Sequence, residues 1–299
     1  MRPRTTACRL AALLILASMT ACPESGGSPD ASLDGGPEDG SSDGGGEGGP
    51  GGRLFSFAIL ADLHIGEGHE DYGEPGHDDS GGAEDELTAT VRDAVERVNG
   101  AIAEHDIAFV AVLGDLTDSA EMSELHRSRE ILDELEVPYL PLLGNHDVWP
   151  YTAREEAPAP TGDERFVEVF GDVIEAAGAS FEGFVRAPAP VDDPVHGRPI
   201  HLINYALDFG GRHFVALDLN TREHAEEGEP GIGPQADLHD FEGGTLPWLA
   251  DLLEGYGDLE PGSVIVLAHH PPMVAFPERF GLSPEEEEAF QAFIRDGGW

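Results

Sequence analysis

Four short stretches of the sequence concentrate side chains that can hold a metal ion. They are Ala61-Asp62-Leu63-His64, Gly114-Asp115-Leu116-Thr117-Asp118, Gly144-Asn145-His146-Asp147 and His269-His270-Pro271-Pro272. Carboxylate, carboxamide and imidazole offer oxygen and borderline nitrogen donors, and no thiolate accompanies them. Taken singly each stretch is weak, because Asp-x-His arises by chance, Gly-Asp is a common turn and Asn-His-Asp can cap a helix. What joins them is that each follows an apolar run.

Those runs are short and rich in β-branched or aromatic residues, and they alternate with amphipathic stretches, the pattern of an α/β protein. Strands are expected over 54–60, 107–113, 137–143, 201–207, 213–219 and 264–268, and helices over 84–104, 119–135, 163–177, 245–253 and 284–295. The last helix has a clear start, with Ser283 as N-cap, Pro284 at the first helical position and Glu286 three residues after the serine. All four metal-capable stretches therefore stand at the carboxyl ends of strands, where open α/β sheets gather their ligands. An Asp and a His two residues apart, such as Asp62 and His64, can point to the same side there.

In this order the stretches resemble the calcineurin-like metallophosphoesterase family, whose pattern is Asp-x-His, Gly-Asp, Gly-Asn-His-(Asp or Glu), a His near a Pro, and Gly-His-x-His. The resemblance covers residues 53–299. It implies a two-sheet αββα sandwich with flanking helices and a centre of two divalent or trivalent ions of Fe, Mn or Zn. Asp62 and His64 would bind one ion, Asn145 and His269 the other, and Asp115 would bridge them. His269 matches better than His270 because the family's ligand lies two residues before a proline, here Pro271. His146 would protonate the leaving group or steady the transition state, with Asp147 orienting it. The implied activity is metal-assisted hydrolysis of a small phosphoester, by a phosphatase or a phosphodiesterase. Purple acid phosphatases carry a Tyr ligand shortly after Gly-Asp, whereas here Leu116, Thr117, Asp118 and Ser119 follow; this argues against a charge-transfer Fe(III) site and gives a mild preference for a diester or cyclic nucleotide. No Gly-His-x-His precedes Trp299, so the centre is expected to be incomplete and the closing C-terminal strands missing. A catalytically impaired fragment, or a surface binding domain retaining the scaffold, is the alternative reading.

Composition limits the partners. Among 299 residues, 16 Lys and Arg face 59 Asp and Glu, a formal charge of −43 that argues against duplex nucleic acid. Residues 1–22 read as an address, with Arg2, Arg4 and Arg9 heading an apolar run too short to span a bilayer, then Thr20-Ala21 before Cys22. This resembles a bacterial lipoprotein signal, which implies export, acylation of Cys22 and attachment to the cell envelope membrane. Residues 23–52, almost all Gly, Ser, Pro, Asp and Glu, are expected to form a flexible tether, leaving 53–299 as one catalytic domain. With Cys8 removed in the leader, no internal disulfide can form. Two acidic loops complete the reading, 66–86 with His69, His77, Asp78 and Asp79, and 221–244 with His224, His239 and Asp240.

Overall fold

A computed structural model describes residues 15–20, 53–66, 86–148, 160–195, 197–222, 236–260, 262–273 and 281–297. Cys22, the tether, and the greater part of both acidic loops lie outside them. The first sheet has the order β1-β2-β3-β4, built from β1 (Ile15–Thr20), β2 (Arg53–Leu60), β3 (Ile107–Leu113) and β4 (Tyr139–Leu142). β2, β3 and β4 run parallel, and β1 pairs antiparallel with β2. The second sheet consists of β5 (Glu182–Arg186), β8 (Tyr205–Phe209), β9 (Arg212–Leu217) and β10 (Val264–Ala268), in the order β10-β9-β8-β5. Between β5 and β8 lies a small antiparallel pair, β6 (Val191–Asp193) and β7 (Arg198–Ile200).

The period-two alternation of β8 and β9 makes the second sheet a wall between two cores. Tyr205, Leu207, Phe214 and Ala216 face inward, while Ala206, Val215 and Leu217 belong to a separate outer cluster. On the inner side Phe214 meets Phe57 and Phe109 of the first sheet edge-on, with centroids 5.5 and 5.1 Å apart, and the Tyr205 hydroxyl donates to the Pro141 carbonyl at 3.1 Å. The two sheets thus pack face to face. On the other side of the first sheet lie α1 (Glu86–His105), α2 (Met122–Leu132) and, following the single turn α3 (Asn145–Val148) in the chain, α4 (Gly162–Ser180), with Val91, Val95 and Val98 marking the buried stripe of α1 at helical spacing. The outer face of the second sheet receives Leu249 and Leu253 of α5 (Thr245–Tyr256), and Phe290 and Phe293 of α6 (Pro284–Gly297) pack partly against it. Layered helix, sheet, sheet, helix, this is the expected αββα sandwich.

Several expected elements differ in extent. The 201–207 run becomes a strand only at Tyr205, because the backbone amides of His201 and Ile203 donate to the Asp163 and Asp218 carboxylates instead of a neighbouring strand. The helix expected from 119 starts at Met122, since Glu121 caps it and the residues before it are held by the Glu124 carboxylate. The start of α6 is as expected, with Ser283 Oγ and Glu286 bonding reciprocally.

Candidate metal centre

The parallel strands β2, β3 and β4 of one sheet and β10 of the other deliver their carboxyl ends to one place. After β2 the chain does not continue as a strand. Asp62 (φ 54°) and His64 (φ 45°) both adopt the left-handed region, as does Asp115 (φ 50°) after β3. Such backbone costs on the order of 1 kcal/mol or more per residue outside glycine, although Asp and His tolerate it better than most. The compensation is visible: the Asp115 carbonyl accepts from the amides of both Leu63 and His64, at 2.8 and 3.0 Å, locking the two turns together. The Asp62 and His64 side chains therefore share a side because of this doubled turn, rather than through the simple alternation of an extended strand.

Two glycines permit the convergence. A Cβ on Gly144 would lie 2.8 Å from the Asp115 carboxyl carbon and nearer still to its amide and Oδ1. A Cβ on Gly114, which has φ 85°, would meet the Gly144 backbone at 2.7 Å and His269 Nδ1 at 2.8 Å. The glycines of Gly-Asp and Gly-Asn-His thus face each other, and only backbone fits between the side chains they flank.

Asp115, 4 % exposed, is the hub. Its Oδ1 accepts the His146 amide at 2.9 Å, while Oδ2 lies 3.3 Å from His269 Nε2 and 3.6 Å from His64 Nε2. His269 Nε2 also stands 3.2 Å from Asn145 Oδ1. The far nitrogens are fixed by acceptors: His64 Nδ1 donates to Asp118 Oδ1 at 2.8 Å, His146 Nδ1 to the Asp118 carbonyl at 2.7 Å, and His269 Nδ1 to the Leu113 carbonyl at 2.8 Å. Carbonyl and carboxylate oxygens only accept, so Nδ1 carries the proton in all three rings and Nε2 is the nitrogen left for chemistry. Burial opposes charging these rings, yet the acids overcome it. Asp118, Asp115 and Asp62 raise the His64 pKa to about 9, and Asp115 and Asp62 raise that of His269 to about 9. Asp115 itself, despite burial, is held well below the usual carboxylate range, chiefly by His269. A cluster that draws protons onto buried imidazoles is one that demands positive charge, and its oxygen and imidazole donors fit a divalent or trivalent cation.

Asp62, Asp115 and His269 have ligand atoms within 4.8 Å of one another, as do His64, Asp118 and His146. Asn145 joins the first group through His269. Of the expected site residues, Asp62, His64, Asp115, Asn145, His146 and His269 therefore come together. The second group is a hydrogen-bonded relay, since Asp118 spends Oδ1 on His64 Nδ1. His270 packs beside His269, ring centroids 4.7 Å apart.

Asp147 does not hold His146 as expected. Its Oδ1 accepts from the amide and hydroxyl of Thr117, both at 2.9 Å, and its Oδ2 from the amides of Leu116 and Gly144 at 3.1 and 2.9 Å. Fully buried, with its pKa pushed up by burial and by Asp115, it stitches the end of β3 to the end of β4. The imidazole-orienting role belongs to Asp118, which sequence reasoning passed over although it stands three residues after Asp115. Asp118 is positioned in turn by its amide bond to the Ile65 carbonyl, 3.1 Å. The adjoining Ser119–Glu121 turn is gripped by the Glu124 carboxylate, which accepts from the amide and hydroxyl of Ser119 and the amide of Glu121, and lies where a Cβ of Gly66 would be. Burial pushes Glu124 up to about 8.

The second sheet is braced against this end by a buried ion pair. Arg222 donates to Asp218 and to the carbonyls of Asn220 and His201, and Asn220 Nδ2 donates to the Leu143 carbonyl at 2.9 Å, just ahead of Gly144.

Comparison with known proteins supplies the family. The model of the calcineurin-like phosphoesterases matches residues 55–298. No curated protein sequence matches. Among solved structures, a purple acid phosphatase from yellow lupin (Lupinus luteus) seeds aligns with TM-score 0.38 and 15 % identity, over 81 % of this chain and 38 % of that one. The chain thus spans well under half the length of that protein.

Proposed function

Because the chain belongs to the calcineurin-like phosphoesterase family, a family of metal-dependent hydrolases, we propose that its centre holds two ions and hydrolyses a small phosphodiester or cyclic nucleotide. The observation that carries this reading is the common orientation of the imidazoles, each with Nδ1 tied down. Asp62 and His64 would hold one ion, Asn145 and His269 the other, with Asp115 between them and Fe, Mn or Zn as the metals the donor set suits. When bound, the ions supply Lewis-acid activation of water and neutralise charge on the phosphoryl oxygens. His146 holds the movable proton. With Nδ1 donating to the Asp118 carbonyl, Nε2 is the atom that would carry the second proton of an imidazolium and give it to the departing alkoxide. Asp118 fixes His64 so that its Nε2 faces the Asp115 carboxylate. Asp147 keeps the strand ends in register.

Purified protein should be assayed for bound metal by mass spectrometry and for turnover of bis(4-nitrophenyl) phosphate and 4-nitrophenyl phosphate with added Mn(II). Turnover faster on the diester and abolished by D115N is expected; a protein that binds no metal and hydrolyses neither ester refutes the reading. The leader further supports an exported lipoprotein anchored through Cys22. Labelling with radioactive palmitate in cells, lost in C22S, is the expected result, and unlabelled wild-type protein rejects the anchor.

A further inference from the structure

At the opposite end of the second sheet the β8–β9 turn, Gly210-Gly211, and the junction of α4 with β5 enclose a cleft of about 640 Å³. β9 and β10 run in parallel register, His213 beside Val264 and Leu217 beside Ala268, so the cleft lies roughly 16 Å along the sheet from His269. Its floor is aromatic. Phe181 and Phe209, both half-buried, meet edge-on at 5.7 Å above the Phe109 core. His213 lines the wall with Nδ1 donating to Asp208 Oδ1 at 2.6 Å and its ring stacked on Tyr256, centroids 4.0 Å apart and planes 22° from parallel.

Arg212 is the anomaly. It lines the cleft, its Nε is buried without an acceptor, and its guanidinium makes no hydrogen bond or ion pair among the described residues. In a chain with 59 acids to 16 basic residues, a half-buried arginine left without a carboxylate is conspicuous. Seven other arginines, from Arg92 to Arg295, donate to acids or carbonyls; Arg97 and Arg198 share the lack of a partner among the described residues, but Arg212 adds to it a buried Nε with no acceptor and a place in the cleft lining. Asp208, which also lines the cleft, is already hydrogen-bonded to His213, and a Cβ on Gly183, at φ 61°, would lie 2.2 Å from Asp208 Oδ2. Glu182 is the one other acid in the lining and offers an acceptor at the rim.

We propose that this cleft is a second ligand site, for a planar ring carrying an oxyanion. The oxyanion would take the guanidinium fork, the ring would lie on Phe181 and Phe209, and an N–H or O–H of the ligand would donate to Glu182. The site is independent of the metal centre, and so is its test. Isothermal titration of the full chain in EDTA keeps phosphates from being held by cations at the strand ends. The probes are adenosine monophosphate and benzoate, which separate a phosphate from a carboxylate source, and inorganic phosphate as the anion without a ring. Binding of one or both ring-bearing anions, with inorganic phosphate at least about tenfold weaker, is expected. R212Q should weaken that binding by about tenfold or more, R212K should recover part of it, and both should melt cooperatively like the wild type. H213A provides a second variant, weakening the ring's wall without touching the cation. Absence of heat from every probe at millimolar concentration, equal binding of inorganic phosphate, or unchanged affinity in a folded R212Q overturns the proposal.

Discussion

Substituting Gly144 by alanine probes the link between backbone approach and metal affinity. The added Cβ would stand 2.8 Å from the Asp115 carboxyl carbon, and closer to Oδ1. Ordinary carbon contacts need about 3.5–4.0 Å, so the carboxylate must retreat by about 1 Å. It cannot do so freely, because Oδ1 accepts the His146 amide and Asp147 clamps Gly144, Leu116 and Thr117 around it. Overpacking of this kind costs about 1–3 kcal/mol in stability, and misplacing a catalytic group by about 1 Å costs on the order of 100-fold in rate. G144A is therefore expected to fold with a lowered melting temperature, to lose about two orders of magnitude in diester turnover, and to release metal to a chelator that the wild type resists. Gly171 supplies the control. It lies within α4, its Cβ would meet only Val167 at 3.6 Å, and G171A should gain up to about 1 kcal/mol with unchanged turnover. A G144A protein within threefold of wild type in both turnover and metal retention would show that Asp115 is not held by this packing.

Three further outcomes follow from residues around the centre. D118A frees His64 Nδ1 and is expected to lower metal affinity about 10–100-fold with the fold intact, measured by competition with a chromogenic chelator. Burial raises Glu124 from 4.5 to about 8, so the folded state binds its proton more tightly than the unfolded chain does. Its contribution is complete below pH 4.5 and is lost as the pH climbs to about 8, and the melting temperature of the wild type relative to E124Q should fall across that window; a constant difference would contradict the burial argument. R222M strands the Asp218 carboxylate without its cation and should cost about 3–5 kcal/mol in urea unfolding, part of it recovered in the D218N/R222M double variant.

The strands that carry the ligands were legible because each is an apolar run ending in a polar motif. β3 and β10 occupy the expected spans, and the Ser283–Glu286 box marks the start of α6. β5, β6 and β7 were not legible: Glu182–Arg186 alternates poorly, Val191–Asp193 and Arg198–Ile200 have three residues each, and one contains a proline. The site's membership could be read from residue types, but its mechanics could not. That Asp147 stitches backbone while Asp118 holds an imidazole depends on which way two carboxylates point, and both stand in plausible spacing to His146. The left-handed turns at Asp62, His64 and Asp115 are held by amide bonds between the segments that follow β2 and β3, which no local pattern announces.

His269 arrives from one sheet while Asp62, Asp115 and Asn145 arrive from the other, and Leu113 and Leu143 each lend a carbonyl to a side chain from across that gap. An ion held by donors on both sides would act as a clasp on the mouth of the sandwich. Its departure and the parting of the layers would then be one event, so the lifetime of the bound metal would be set by the aromatic packing of Phe57, Phe109 and Phe214 deep inside as well as by the ligands it touches.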